Sequence, residues 1–180
     1  MDRIAYTAEG IAAETVINVF PSRQARLSYE RTGRLGGPPT VELPRHSVSV
    51  TAVVLHSDGR VLAIQREDDG RWVPPGGVVE LDETPDHAGI REVLEETGIQ
   101  IEPDVLTGVY KNMVLGVVSL TYQCHPISGE PRPSDEALQS AWLTLDEVKD
   151  RMPEARAIRV FDALRSDSPF VRVHDGSRLL

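Results

Sequence analysis

Sulfur, aromatic rings and positive charge are all scarce in this sequence. Cysteine occurs once, at Cys124, which excludes an internal disulfide and a thiolate metal cluster and leaves an inert core thiol as its expected role. Aromatic residues make up 5% of the chain. Trp72, Tyr110 and Phe20 are the rings that could stack on a base, but apolar packing is the better account of each. Lys and Arg number 19 against 28 Asp and Glu, a net charge of -9. That balance argues against a partner made of polymeric nucleic acid, whose phosphates recruit basic side chains. It leaves a single nucleotide open as ligand, because a divalent cation can bridge two acidic partners. Long apolar runs are missing too. No stretch reaches the roughly 18 residues of a spanning helix, and "MDRIAYTAEG" is not a secretory signal. The expectation is a cytoplasmic protein away from membranes.

What is present suits a packed domain: 180 residues, 40% hydrophobic and 26% charged. The first 44 residues read as an N-terminal extension, with a short helix around "AAETVINVF" and a Gly/Pro-rich join, "RTGRLGGPPT". Residues 45–166 read as the main domain and 167–180 as a polar tail, loose at its end. "SVSVTAVVLH" and "RVLAIQR", separated by the turn signal Ser57–Gly59, suggest a β-hairpin. "RWVPPGG" cannot be regular helix. "IEPDVLTGVY", "VLGVVSLTYQC" and "ALQSAWLT" read as strands, with a polar loop over "HPISGEPRPSDE". Thr144 and Glu147 have capping-box spacing, and a further helix is expected from Glu154 to about Leu164. Strands interleaved with helices imply an α/β class with a mixed sheet.

The informative stretch is "GVVELDETPDHAGIREVLEETGI", Gly77 to Ile99. Thr84 suits an N-cap, Pro85 a first helical position and Gly98 the residue past the end. On that helix Ile90, Val93 and Leu94 form an apolar stripe, and Glu92, Glu95 and Glu96 share the opposite side. A solvated acidic face is the ordinary account of such a pattern. Here it carries three local penalties: like-charge neighbours, no lysine in the helix, and carboxylates at the end where the helix dipole disfavours them. A hard divalent ion, Mg²⁺ or Mn²⁺, would relieve all three. Upstream, Gly76 and Gly77 allow close approach of backbone to a ligand. Glu83 is placed to pair with Arg91. Arg66 and Arg71 flank the loop as candidate phosphate partners, and Lys111 and Asn112 as further lining residues. The five histidines, His46, His56, His87, His125 and His174, have no metal-type spacing.

Gly77, Glu83, Arg91-Glu92-Val93, Glu95-Glu96 and Gly98-Ile99 together resemble an intact Nudix box, a match expected by chance on the order of once in ten million chains of this length. The resemblance implies an α/β/α sandwich and hydrolysis of a nucleoside diphosphate linked to another moiety, with ADP-ribose-like compounds and nucleoside triphosphates as leading substrates. It implies Glu92, Glu95 and Glu96 as metal ligands, Glu83 as accessory carboxylate, Arg91 as the residue that orients the glutamates, and Gly77 as the glycine that admits phosphates. The general base is variably placed in such enzymes. Glu136 is the candidate outside the box and Glu92 the candidate within it. A homodimer that uses the N-terminal arm is a further expectation. Two other readings compete: a Nudix-fold nucleotide sensor without turnover, and a metal-binding acidic helix in an unrelated domain. The second box proline, Pro75, and the helical Gly89 depart from expectation without removing a catalytic side chain.

Overall fold

The computed structural model describes residues 45–180, so the expected N-terminal arm and its helix lie outside the described residues. Seven strands and three helices follow in order: β1 (Ser47–Val54), β2 (Val61–Arg66), β3 (Trp72–Val73), α1 (Pro85–Thr97), β4 (Gln100–Asn112), β5 (Val117–Ser128), β6 (Ala137–Leu143), α2 (Leu145–Arg151), α3 (Glu154–Ala163) and β7 (Phe170–His174). They form a mixed four-stranded sheet, β1-β5-β4-β7, and an antiparallel three-stranded sheet, β3-β2-β6.

Alternation along β1 and β2 builds the layers. Val53, Val61 and Ala63 face one way and bury with Leu143 against Val148 of α2 and Ala157 and Val160 of α3. Ala52, Val54 and Leu62 face the other way and bury with Val93 of α1, Ile99, Ile101 and Cys124. Strands covered on both faces read as continuous apolar runs, which is why the two segments are so rich in Val, Ala and Leu. Cys124 is buried, and that burial pushes its thiol up to about 12.

One local expectation is corrected. β1 and β2 are not a hairpin. The turn exists, closed by Gly59 N–H to His56 O and His56 N–H to Arg60 O, both at 2.9 Å. It carries the chain from one sheet to the other, with a single bridge between Leu55 and Val61. β1 instead runs parallel to β5, Ser47 opposite Val117 through Val54 opposite Cys124. Two boundaries also move. β5 continues to Ser128, so the polar loop starts at Gly129 rather than His125. The stretch after Ser166 contains β7, which pairs in parallel with β4 from Gly108–Phe170 to Asn112–His174.

Helix α1 spans Pro85–Thr97, with Gly98 left-handed (φ 76°) and its N–H on Leu94 O. Thr84 holds the N-cap position through extended backbone, without a side-chain cap bond. Thr144 and Glu147 form the full reciprocal capping box at the start of α2. Gly89 faces β1, where an added Cβ would stand 3.4 Å from Val50 Cγ2, an ordinary van der Waals contact.

Candidate active site

The loop between β3 and α1 is fastened along the outer edge of β1. Ala52 N–H donates to Pro75 O (2.9 Å), Val50 N–H to Gly77 O (2.8 Å) and Val79 N–H to Val48 O (3.0 Å). Close approach demands glycine at two positions. Gly76 has φ +146°, and a Cβ there would collide with Val50 O. A Cβ on Gly77 would occupy the place of the Glu92 carboxylate. The glycines therefore seat glutamates: Gly76 N–H donates to Glu96 Oε2 at 2.9 Å, and Gly77 leaves room for Glu92.

Arg91 organises the remaining carboxylates. Its Nη2 and Nε donate to Glu83 Oε1 (2.7 Å) and Oε2 (3.1 Å), a two-pronged pair. Its Nη1 donates to Glu92 Oε1 (2.9 Å) and Glu95 Oε2 (3.1 Å), and Nη2 also reaches Val78 O (3.3 Å). The ion pair expected between Glu83 and Arg91 is therefore present. Arg91 holds the Glu83 carboxyl below the usual carboxylate range.

Glu92 and Glu96 behave differently. Burial raises Glu92 despite the opposing pull of Arg91. Glu96 is 5% exposed, and burial pushes its carboxyl up to about 8; the Gly76 N–H opposes this, while Glu92 and Glu136 add to it. The apolar stripe is correspondingly shifted: Val93 is fully buried, whereas Leu94 is 38% exposed.

Glu136 reaches the same place from another element. The loop from Gly129 to Glu136 is tied to the end of α1 by Arg132 N–H on Thr97 O (3.0 Å). Gly98 makes this possible, because a Cβ there would collide with the Arg132 side chain. The result is a cleft of about 260 Å³ lined by Glu92, Glu95, Glu96, Ser134, Asp135 and Glu136. Asp135 and Ser134 escaped the sequence reading, since nothing distinguishes them from other polar loop residues.

The cleft offers only hard oxygen donors and no basic residue lines it, which suits Mg²⁺ or Mn²⁺ in chemistry. Among the described residues Gly76 N–H bonds Glu96 through Oε2, and no hydrogen bond is donated to Glu96 Oε1 or to the Glu136 carboxylate. No three carboxylates among the described residues already converge on one ion. Glu92 and Glu95 are turned to Arg91 and Glu96 to Gly76, so binding would recruit them from these partners.

A second cavity of about 200 Å³ adjoins the loop and has the opposite character. Arg66, Gly76, Gly77 and Asn112 line it, together with Arg156, Arg159, Thr51, Ser119 and His174. Arg66 is also paired with Asp68. Arg71 lines a different small cavity, with Asp69 as its partner. Lys111 lines neither of the two cavities at the loop. Tyr110 is buried in the core with its hydroxyl on Asp162 Oδ2 (2.8 Å), and Trp72 packs against the α2–α3 core.

A model of the NUDIX domain matches residues 45–164. A MutT-like protein of Streptomyces ambofaciens is 56% identical over 137 residues, 76% of this chain and 89% of that one. An ADP-ribose pyrophosphatase of Methanocaldococcus jannaschii is 30% identical over 102 residues, 53% of this chain and 60% of that one. Among solved structures, an ADP-ribose pyrophosphatase of Streptococcus suis superposes with a TM-score of 0.61 at 23% identity, covering 72% of this chain and all of that one.

Proposed function

The chain belongs to the Nudix family of pyrophosphohydrolases, and we propose that it cleaves, with Mg²⁺ or Mn²⁺, the pyrophosphate bond of a nucleoside diphosphate linked to another moiety. ADP-ribose-like compounds and nucleoside triphosphates are the substrate classes in view. The observation that carries this reading is the buried Glu96 carboxylate facing Glu92 and Glu136 in a cleft lined by no cationic side chain. Burial and the neighbouring carboxylates keep Glu96 from ionising by itself, and a bound cation would stabilise its charged form.

Glu92, Glu95 and Glu96 would hold the ion. When bound, it neutralises the pyrophosphate and lowers the pKa of a water. The chain's own residues do the rest. Gly76 N–H fixes Glu96, Arg91 fixes Glu92 and Glu95, and Glu83 fixes Arg91. Glu136, exposed and brought to the cleft by the loop before β6, accepts the proton of the attacking water. Glu92 is the weaker candidate for that role because Arg91 already occupies its Oε1.

The test is incubation of the purified chain with ADP-ribose, NADH, nucleotide sugars, dinucleoside polyphosphates and canonical and oxidised triphosphates, with Mg²⁺ or with EDTA. Magnesium-dependent release of a nucleoside monophosphate from one of them supports the reading. Nucleotide binding without cleavage across the panel would replace it with a sensor.

A further inference from the structure

The second cavity contains a cation that nothing described neutralises. Arg159 is 2% exposed, yet no carboxylate among the described residues lies within ion-pair distance of it. Its Nη1 donates to Thr51 Oγ1 (2.6 Å) and Ser119 Oγ (2.9 Å), its Nη2 lies 3.3 Å from His174 Nε2, and its Nε has no partner. The Tyr110 ring packs against the guanidinium, with 5.1 Å from Cζ to the ring centroid.

Donors exceed acceptors here. Gly176 N–H approaches His174 Nδ1 at 3.0 Å while Arg159 approaches Nε2. A neutral imidazole can accept at only one ring nitrogen, so one of these two donors lacks a true acceptor. Arg156 and Arg66 line the same cavity and no Asp or Glu does, although Arg66 is paired with Asp68 and both arginines also border the neighbouring cavity that holds Asp68 and Asp69. A buried arginine normally has a paired anion. Its planar fork suits oxygen anions, phosphate above all.

Position and size narrow the occupant. Gly76 lines this cavity, and its N–H reaches Glu96 of the acidic cleft, so one residue joins the two sites. A volume of about 200 Å³ is below the range usual for a drug-sized ligand. It is suited to a phosphate and the start of its sugar rather than a whole nucleoside.

We propose that the Arg156–Arg159–His174 cavity is an anion subsite that receives a phosphate group of the substrate other than the pyrophosphate held at the acidic cleft. This rests on the hydrolase reading above. It assigns the substrate to compounds that carry an additional phosphoryl group, near enough to be held while the pyrophosphate is cleaved.

Calorimetric titration of the metal-free full chain in EDTA with inorganic phosphate tests the cavity directly. Without metal the acidic cleft repels anions. Saturable binding is expected, weakened at least about ten-fold in Arg156→Gln and retained in Glu96→Gln. Arg159→Lys, which keeps the charge and loses the fork, should weaken it as well, with circular dichroism reporting its fold. No saturable binding by the wild type, or equal binding by folded Arg156→Gln, overturns the proposal. Steady-state kinetics with the compound cleaved under Mg²⁺ then separates the sources of the anion. A KM raised about ten-fold in Arg156→Gln, with kcat within about three-fold, places the substrate's own phosphate there. An unchanged KM with phosphate binding intact overturns the substrate assignment in favour of a free anion. Phosphate binding with no turnover of any compound would remove the hydrolase reading and the substrate assignment together, leaving the anion cavity standing.

Discussion

Replacing Gly76 and Gly77 separately by alanine should give opposite results, although the residues are adjacent. In Gly76→Ala the new Cβ would collide with Val50 O and stand 2.9 Å from Thr51 Cα and 3.0 Å from Val50 C. All three are backbone atoms of β1, which is fixed by pairing with β5. Relieving the closest of these contacts requires the loop to lift by roughly 1 Å. That stretches the hydrogen bonds Ala52–Pro75 and Val50–Gly77, each worth about 1 kcal/mol. The backbone at φ +146° adds strain of about 1–3 kcal/mol. The sum is about 3–5 kcal/mol, a fall in Tm of roughly 10–20 °C. In Gly77→Ala the colliding atoms are the Glu92 carboxylate, the free end of a flexible side chain. The fold should survive with a loss under about 1.5 kcal/mol, but Glu92 is displaced and turnover should fall about 100-fold. Urea denaturation monitored by circular dichroism reads the first effect as a lower midpoint with unchanged slope. A Gly76→Ala protein within about 1 kcal/mol of wild type would refute the account of the loop.

Other perturbations probe the site more locally. Glu96→Gln keeps an acceptor for Gly76 N–H and has the shape of the neutral carboxyl that burial favours, so the metal-free protein should melt no lower than wild type while turnover falls at least about 100-fold. A near-wild-type rate would remove Glu96 from the metal site. Arg91→Lys cannot reproduce the two-pronged bond to Glu83 while reaching Glu92 and Glu95. Its kcat should fall about 10–100-fold, with a stability change within about 1 kcal/mol because the pairs are partly exposed. His174 is held down to about 4 by burial and by Arg159. Between about 4 and the ordinary 6.5 the unfolded chain binds the proton and the folded chain does not, so this group's contribution to stability declines as pH falls through that window. The slope is at most about 1.4 kcal/mol per pH unit. Urea midpoints for His174→Gln should vary less steeply there than wild type, and identical slopes would count against a neutral buried imidazole.

Local signals are legible in the sequence and remote pairings are not. Helix α1 could be delimited because Pro85 and Gly98 punctuate it, and α2 because Thr144 and Glu147 satisfy each other within one turn. The Ser57–Gly59 turn was also legible, but the partners of β1 and β2 depend on β5 and β6, some seventy to eighty residues later in the chain. Arg91 and the three glutamates were identifiable because they share one helix with Glu83 just before it. Arg159 looks like any helical arginine. Its burial follows from the packing of α3 over Thr51, Ser119 and His174, which come from three strands. Leu94 and Glu96 exchange the exposures that hydropathy assigns them, because the glycine loop encloses the glutamate's side of α1.

The bonds that fasten the loop to β1 also affect how the protein behaves in a crowded solution. β1 is the terminal strand of its sheet and carries the run Val50-Thr51-Ala52-Val53-Val54. A bare edge of that composition would recruit strands from other chains. Here the donors of Val50 and Ala52 are already taken by Gly77 and Pro75, and Ser49 bridges Val78. The segment that seats Glu92 and Glu96 is thus also the shield against intermolecular β-pairing. Substitutions that loosen it should remove activity and promote aggregation together, so loss of soluble protein in such variants need not reflect a damaged core.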